Sequence, residues 1–147
     1  MTDPRRARRR IAGGLVLVLS IGLTTHAQQP DTRRPTLSIR VTPPVGFTPL
    51  RVRATADLRD GSDDYPDFYC ATVEWDWGDG TMSESTSDCN PYEAGKSSIQ
   101  RRYSTDHVDR QGGAYRIVFR LKQRTKQVAS ASTNVTVRSG VGEGFGR

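Results

Sequence analysis

Histidine and cysteine are scarce: 147 residues contain two of each. A metal centre built from these residue types alone needs more ligands. A catalytic thiol needs a histidine partner, and with His26 inside the N-terminal segment described next, His107 is the one candidate in the rest of the chain. Long hydrophobic runs are also missing. The best, Ile11 to Leu23, has about 13 residues against the roughly 20 that a bilayer-spanning helix requires. Helical periodicity is absent as well, since no window of about ten or more residues places apolar side chains at helical spacing.

What is present at the N-terminus has the form of an export signal. MTDPRRARRR supplies a basic n-region, Ile11 to Leu23 the apolar h-region, and Thr25-His26-Ala27 small residues at a cleavage point. Residues 1–27 are therefore expected to be a signal peptide, 28–34 a polar linker, 35–138 the folded domain, and 139–147 a flexible Gly-rich tail. No stable membrane span is expected once the leader is removed, and the expected location is secreted or periplasmic. The leader carries five of the 22 basic residues and one of the 16 acidic ones, which leaves the mature chain near +2. The pI of about 9.8 thus belongs largely to the targeting signal, and nucleic acid is not an expected partner. In an oxidising compartment the remaining cysteines, Cys70 and Cys89, are expected to close into one disulfide.

Within 35–138 apolar residues recur at every second position, the period of a strand with one buried face. The rows are Leu37, Ile39 and Val41; Leu50, Val52, Ala54 and Ala56; Val73, Trp75 and Trp77; a weak row at Ile99, Arg101 and Tyr103; Tyr115, Ile117, Phe119 and Leu121; and Ala131, Thr133, Val135 and Val137. Proline and glycine fall between them. This pattern predicts an all-β fold, an immunoglobulin-like antiparallel sandwich of about seven strands.

Trp75-Asp76-Trp77-Gly78-Asp79-Gly80-Thr81 is the most informative stretch. The two tryptophans share a face, and Gly78 and Gly80 permit the positive φ angles of a tight turn. Cys70 and Cys89 lie symmetrically about Asp79-Gly80, so a two-residue turn there places them opposite each other across the hairpin; a regular ladder makes them a hydrogen-bonded pair, disulfides prefer the closer non-bonded pairs, and a bulge is one way to reconcile the two. WDWGDGT resembles the signature of the polycystic-kidney-disease (PKD) module. Two further stretches, Gly46-Phe47-Thr48-Pro49-Leu50 and Gly113-Ala114-Tyr115-Arg116-Ile117-Val118-Phe119-Arg120-Leu121, resemble its early turn and its late Gly-x-Tyr strand, in the family's order. The family's His-x-aromatic step is matched at His107 but not at Asp109, and Tyr103 is the alternative aromatic. The resemblance implies an extracellular module that binds a protein or polysaccharide partner at the cell surface and is not an enzyme, with Trp75, Asp76, Trp77, Gly78, Asp79, Gly80 and Tyr115 as structural motif residues.

Candidate sites follow from the loops. From Asp57 to Glu93 there are eleven acidic residues and one basic one, Arg59, and Asp57, Asp60, Asp63 and Asp64 offer oxygen ligands of the kind Ca²⁺ collects, though without the spacing of an EF-hand. Tyr65, Phe68, Tyr69 and Tyr92 either face a partner or cover the disulfide. Asp76 and Asp79 are weighed as a hydrolase pair and read instead as an outward strand residue and a turn residue. His107 falls in a predicted loop. Arg116, Arg120 and Lys122, with Arg51 and Arg53, form either a basic sheet face or ordinary solubilising charge. The expected function is an exported, non-catalytic interaction module; the alternatives are a calcium-stabilised structural component of an envelope assembly and, last, a small hydrolase.

Overall fold

The computed structural model of the chain describes residues 33–140. The expected signal peptide, most of the linker and all but the first two residues of the tail lie outside the described residues. Eight strands account for nearly all of the regular structure: β1 Thr36–Thr42, β2 Val45–Phe47, β3 Leu50–Arg59, β4 Thr72–Asp76, β5 Met82–Ser85, β6 Arg102–Asp109, β7 Gly113–Gln123 and β8 Lys126–Arg138. A single 3-10 turn, Pro66–Phe68, precedes β4. Among the described residues no helix is long and apolar enough to cross a membrane.

The strands form a three-stranded sheet in the order β1-β3-β6 and a five-stranded sheet in the order β2-β8-β7-β4-β5. The predicted apolar rows supply inner faces of β1, β3, β4, β7 and β8, whereas of the weak row only Tyr103 lies in a strand, β6, with Ile99 and Arg101 in the segment before it. Val52, Ala54, Ala56 and Leu58 from one sheet meet Val73, Trp75, Trp77, Ile117, Phe119, Leu121, Val135 and Val137 from the other. The small alanines of β3 leave room for the aromatics opposite, as a close-packed core requires. Trp75 and Phe119 lie at 4.6 Å between ring centroids, and Tyr103 and Phe119 at 5.4 Å.

The expected all-β, immunoglobulin-like sandwich is present, its described pairings antiparallel except that β2 pairs parallel with β8. Finer expectations are corrected. β2 and the fully exposed β5 carry no apolar row that would mark them. His107 lies in a strand, because β6 runs on to Asp109 with Tyr103, Thr105, His107 and Asp109 on one face. Asp76 pairs with Met82, and the Trp77 amide donates to the Thr81 carbonyl. The hairpin is therefore centred on Asp79, with a three-residue tip Gly78-Asp79-Gly80 in place of the two-residue turn. In that register Cys70 is one residue out of step with Cys89.

The disulfide forms all the same, with a Cα–Cα distance of 6.1 Å. The β4–β5 ladder stops at Val73–Ser85, and Cys70 adopts a left-handed backbone, φ 50°. The bridge therefore joins two irregular segments beyond the ladder. Closing a loop of 19 residues' separation contributes about 3 kcal/mol by restricting the unfolded chain. A Cys70→Ser, Cys89→Ser double variant is expected to lose about that much in urea titrations read by tryptophan fluorescence, with the sheet signal in circular dichroism retained.

Candidate functional site

The WDWGDG hairpin carries its side chains to one end of the sandwich. Trp77 is buried and stacks on Trp75 at 5.8 Å and 9° and on His107 at 4.3 Å and 8°. Its indole N–H donates to Ser83 Oγ at 3.0 Å. Asp76 accepts the Gly78 amide and lies 3.3 Å from Arg120. Asp79 folds back on its own turn, Oδ1 accepting from the Thr81 amide at 2.8 Å and the Thr81 hydroxyl at 2.6 Å. Its Oδ2 meets His107 Nε2 at 2.9 Å. Tyr115 ties the start of β7 to the preceding loop by donating to the Gln111 carbonyl at 2.9 Å, as a tyrosine at a sandwich corner does.

Asp109 is the residue the sequence reading passed over. Its side chain is 1% exposed and its Oδ2 has no hydrogen-bond partner. Oδ1 lies 3.7 Å from His107 Nε2. Burial pushes the Asp109 carboxyl above its usual value; His107 opposes the shift and Asp79 adds to it. Burial also pushes Asp79 upward, but the hydrogen bonds from Thr81 and His107 outweigh it and hold that carboxyl below its usual value. Asp79, His107 and Asp109 bring their donor atoms within 4.8 Å of one another, the one such His/Cys/Asp/Glu group of three among the described residues. They open on a cleft of about 350 Å³ with Thr81, Arg110, Gln111 and Tyr115. The signal that could have found it is the His107-x-Asp109 spacing, which in a strand puts both side chains on one face.

The four carboxylates proposed for calcium are not gathered into a site. Asp57, on β3, is buried between Arg40 and Arg102, each at 2.6 Å. Asp63 pairs with Arg101 at 2.6 Å, whose guanidinium also donates to the Asp60 and Gly61 carbonyls. Asp64 accepts from the Tyr92 hydroxyl and the Gly95 amide. Asp57 thus serves a strand face, Asp63 and Asp64 tie loops, and the four do not converge on a shared point.

At this second end of the sandwich the aromatic candidates divide. Phe68 is 1% exposed and belongs to the core, so it is not a contact residue; Tyr65 packs on it at 5.0 Å. Tyr69 and Tyr92 form a tilted pair at 5.6 Å, and Tyr92 is 37% exposed. Their loops are cross-tied. Besides the disulfide, the Tyr69 hydroxyl donates to the Asn90 carbonyl at 3.1 Å, the Ile99 amide to the Asp63 carbonyl at 2.9 Å, and Asp64 clamps Tyr92 and Gly95. The β7–β8 turn closes the same end, Gln123 donating to the Tyr69 carbonyl at 2.6 Å.

Three of the five residues of the proposed basic face are engaged in ion pairs, while Arg116 donates a hydrogen bond to the Ser132 hydroxyl. Arg120 and Lys122 both engage the buried Glu74, and Arg53, on the opposite sheet, pairs with Asp106 at 2.8 Å. The Lys122 hydrogen bond, against the effect of burial and helped by Arg120, holds Glu74 below its usual value. The Arg102 hydrogen bond, likewise against burial, does the same for Asp57 with the help of Arg40.

No family model matches the chain, and no curated protein matches it. Solved structures of similar fold include the PKD domain of an M14-like peptidase from a Thermoplasmatales archaeon, at 17% identity, covering 72% of this chain and 97% of that one with a TM-score of 0.48. They also include the CARDB domain of a Pyrococcus furiosus protein, described in complex with di-metal ions, at 15% identity, 75% and 94% coverage and a TM-score of 0.48. Both are likenesses of fold at low identity.

Two outcomes follow from this geometry. Glu74 and Asp57 have depressed folded pKa values, so the unfolded chain binds protons first and their contribution is complete above the usual values of 4.5 and 3.8. Urea midpoints should hold steady above those values and fall as pH drops through and below them. Gly78 and Gly80 both have positive φ, but a Cβ at Gly78 would meet the Arg116 carbonyl oxygen at 2.7 Å whereas one at Gly80 meets nothing within 4 Å. Gly80→Ala should cost about 1 kcal/mol, the left-handed penalty alone, and Gly78→Ala about 3 kcal/mol or more, measured by the same titration.

Proposed function

We propose that the chain is an exported, non-catalytic interaction module that binds a protein or polysaccharide partner at the cell envelope or outside the cell. The observation that carries this reading is the platform at the Tyr69–Tyr92 end. Two segments without regular strands, 60–71 and 86–101, are joined by the Cys70–Cys89 bridge, by Asp63 to Arg101 and Ile99, and by Asp64 to Tyr92 and Gly95. Loops that are held before a partner arrives lose less freedom on binding, which is how a small surface reaches useful affinity. Tyrosine presents a rigid apolar face with a polar tip, suited both to stacking on a sugar ring and to packing in a protein interface.

The disulfide supports the compartment, since such bridges persist in oxidising surroundings, and the export-type N-terminal sequence agrees. The test is a pull-down from envelope extract run beside a glycan array, both probed with the disulfide-intact domain. A partner should appear in at least one format, and Tyr69→Ala with Tyr92→Ala should weaken it by about tenfold or more, as loss of a central aromatic contact does. Background signal in both formats, or full binding by a folded double variant, would remove the platform from consideration.

A further inference from the structure

We propose that Asp79, His107 and Asp109 form a binding site for one divalent first-row transition ion of the zinc type, at the opposite end of the sandwich from the tyrosine platform. The placement follows from strand direction. β4 leaves Cys70 and ends at the Asp79 hairpin, while β6 leaves Arg101 and ends at His107 and Asp109, so the three side chains meet where the second set of loops does not reach.

The observation that calls for a cation is Asp109. A carboxylate at 2% residue exposure with an unpartnered Oδ2 is costly in a protein interior unless it is paired or neutralised. Among the described residues no arginine or lysine pairs with it; the titratable groups that act on it are the His107 imidazole and the Asp79 carboxylate. A metal ion among the three, held by Asp109 through Oδ1, would neutralise this buried carboxylate and offset the repulsion between Asp79 and Asp109.

The spacing suits such an ion. Ligand atoms about 2.0–2.1 Å from a tetrahedral zinc lie about 3.4 Å apart. Here His107 Nε2 is 2.9 Å from Asp79 Oδ2 and 3.7 Å from Asp109 Oδ1, on either side of that spacing, and all three donor atoms lie within 4.8 Å of one another. The ligands are also held from behind, as metal ligands are. Thr81 takes Asp79 Oδ1 with two hydrogen bonds and leaves Oδ2 directed at the site. Trp77 stacks flat against the imidazole, and Ser83 holds Trp77.

The donor set selects the class of metal. One imidazole nitrogen with two carboxylate oxygens suits zinc and its neighbours, whereas calcium and magnesium favour all-oxygen cages. A fourth position faces the cleft with Thr81, Arg110, Gln111 and Tyr115, where water or a donor atom from a partner can enter. The imidazole binds through Nε2 in its neutral form, so the hydrogen bond to Asp79 is exchanged for two metal bonds.

The experiment uses the disulfide-intact chain, stripped with chelator and dialysed. Zinc chloride added in calorimetry should bind at one equivalent, and saturating zinc should raise the melting temperature by about 5 °C or more, with calcium chloride giving neither effect. The imidazole nitrogen signals of His107 should show metal bonding at Nε2. Asp109→Asn, which keeps the shape of the side chain, and His107→Phe, which keeps the stack on Trp77, should each abolish the zinc response; the second variant covers the case in which the first does not fold. Absence of heat and of a melting shift in the wild type would overturn the proposal. A full zinc response in either folded variant would overturn it equally, by placing the ion elsewhere.

Discussion

Trp77 stands where the two sheets, the signature hairpin and the polar end of the molecule meet. Its ring is 1% exposed, flat against Trp75 of its own sheet and His107 of the other. Burying an aromatic of this size is among the largest single contributions in a small core, about 3–5 kcal/mol on removal. The stack also constrains more than stability. Because Trp77 immediately precedes the three-residue tip, fixing its ring fixes the direction in which Gly78-Asp79-Gly80 leaves the sheet, and so brings Asp79 onto His107. Gly78 has to be glycine for the same reason, since the tip passes directly over the Arg116 backbone. Packing, turn geometry and the carboxylate–imidazole contact are thus one arrangement.

The legible part of this fold was the part in which burial is written as alternation. β1, β3, β4, β7 and β8 each present apolar side chains at every second position, which marks the face that each turns to the core. β6 was only half visible, because its inward residues beyond Tyr103 are Thr105, His107 and Asp109, polar groups that no hydrophobic pattern marks. β5 is exposed throughout and β2 is three residues long, so neither carries a pattern at all. The hairpin register was misjudged by one residue for a related reason. The symmetry of the cysteines about Asp79-Gly80 suggested a regular ladder, but the ladder ends before Cys70, whose left-handed backbone absorbs the offset.

Charge was legible in amount and not in arrangement. The acidic excess between Asp57 and Glu93 suggested an ion site, and the alternating arginines and lysines of β7 suggested a basic face. In the folded chain these signs seek each other locally. Glu74 lies beneath Arg120 and Lys122 on one outer face, and Asp57 lies between Arg40 and Arg102 on the other. Long basic side chains cover the carboxylates while keeping their own heads near water, which accounts for buried acids on sheet faces that read from the sequence as basic. Phe68 was misread in the opposite direction, since a loop aromatic among polar neighbours resembles a contact residue until the 3-10 turn carries it into the core.

Asp109 is where burial and residue type disagree most sharply. An aromatic at this position would extend the row of rings that already includes Trp75, Trp77 and His107. A carboxylate with an unpartnered oxygen gives up that packing and adds a desolvation cost, near a second carboxylate that makes its charge harder to hold. Local propensity and packing agree almost everywhere else in this core, so the disagreement is confined to one end of the sandwich, the end where Thr81 and Trp77 hold Asp79 and His107 in place. Violations of that kind are expected at sites that bind something, because the missing partner of the buried group is then supplied from outside the chain.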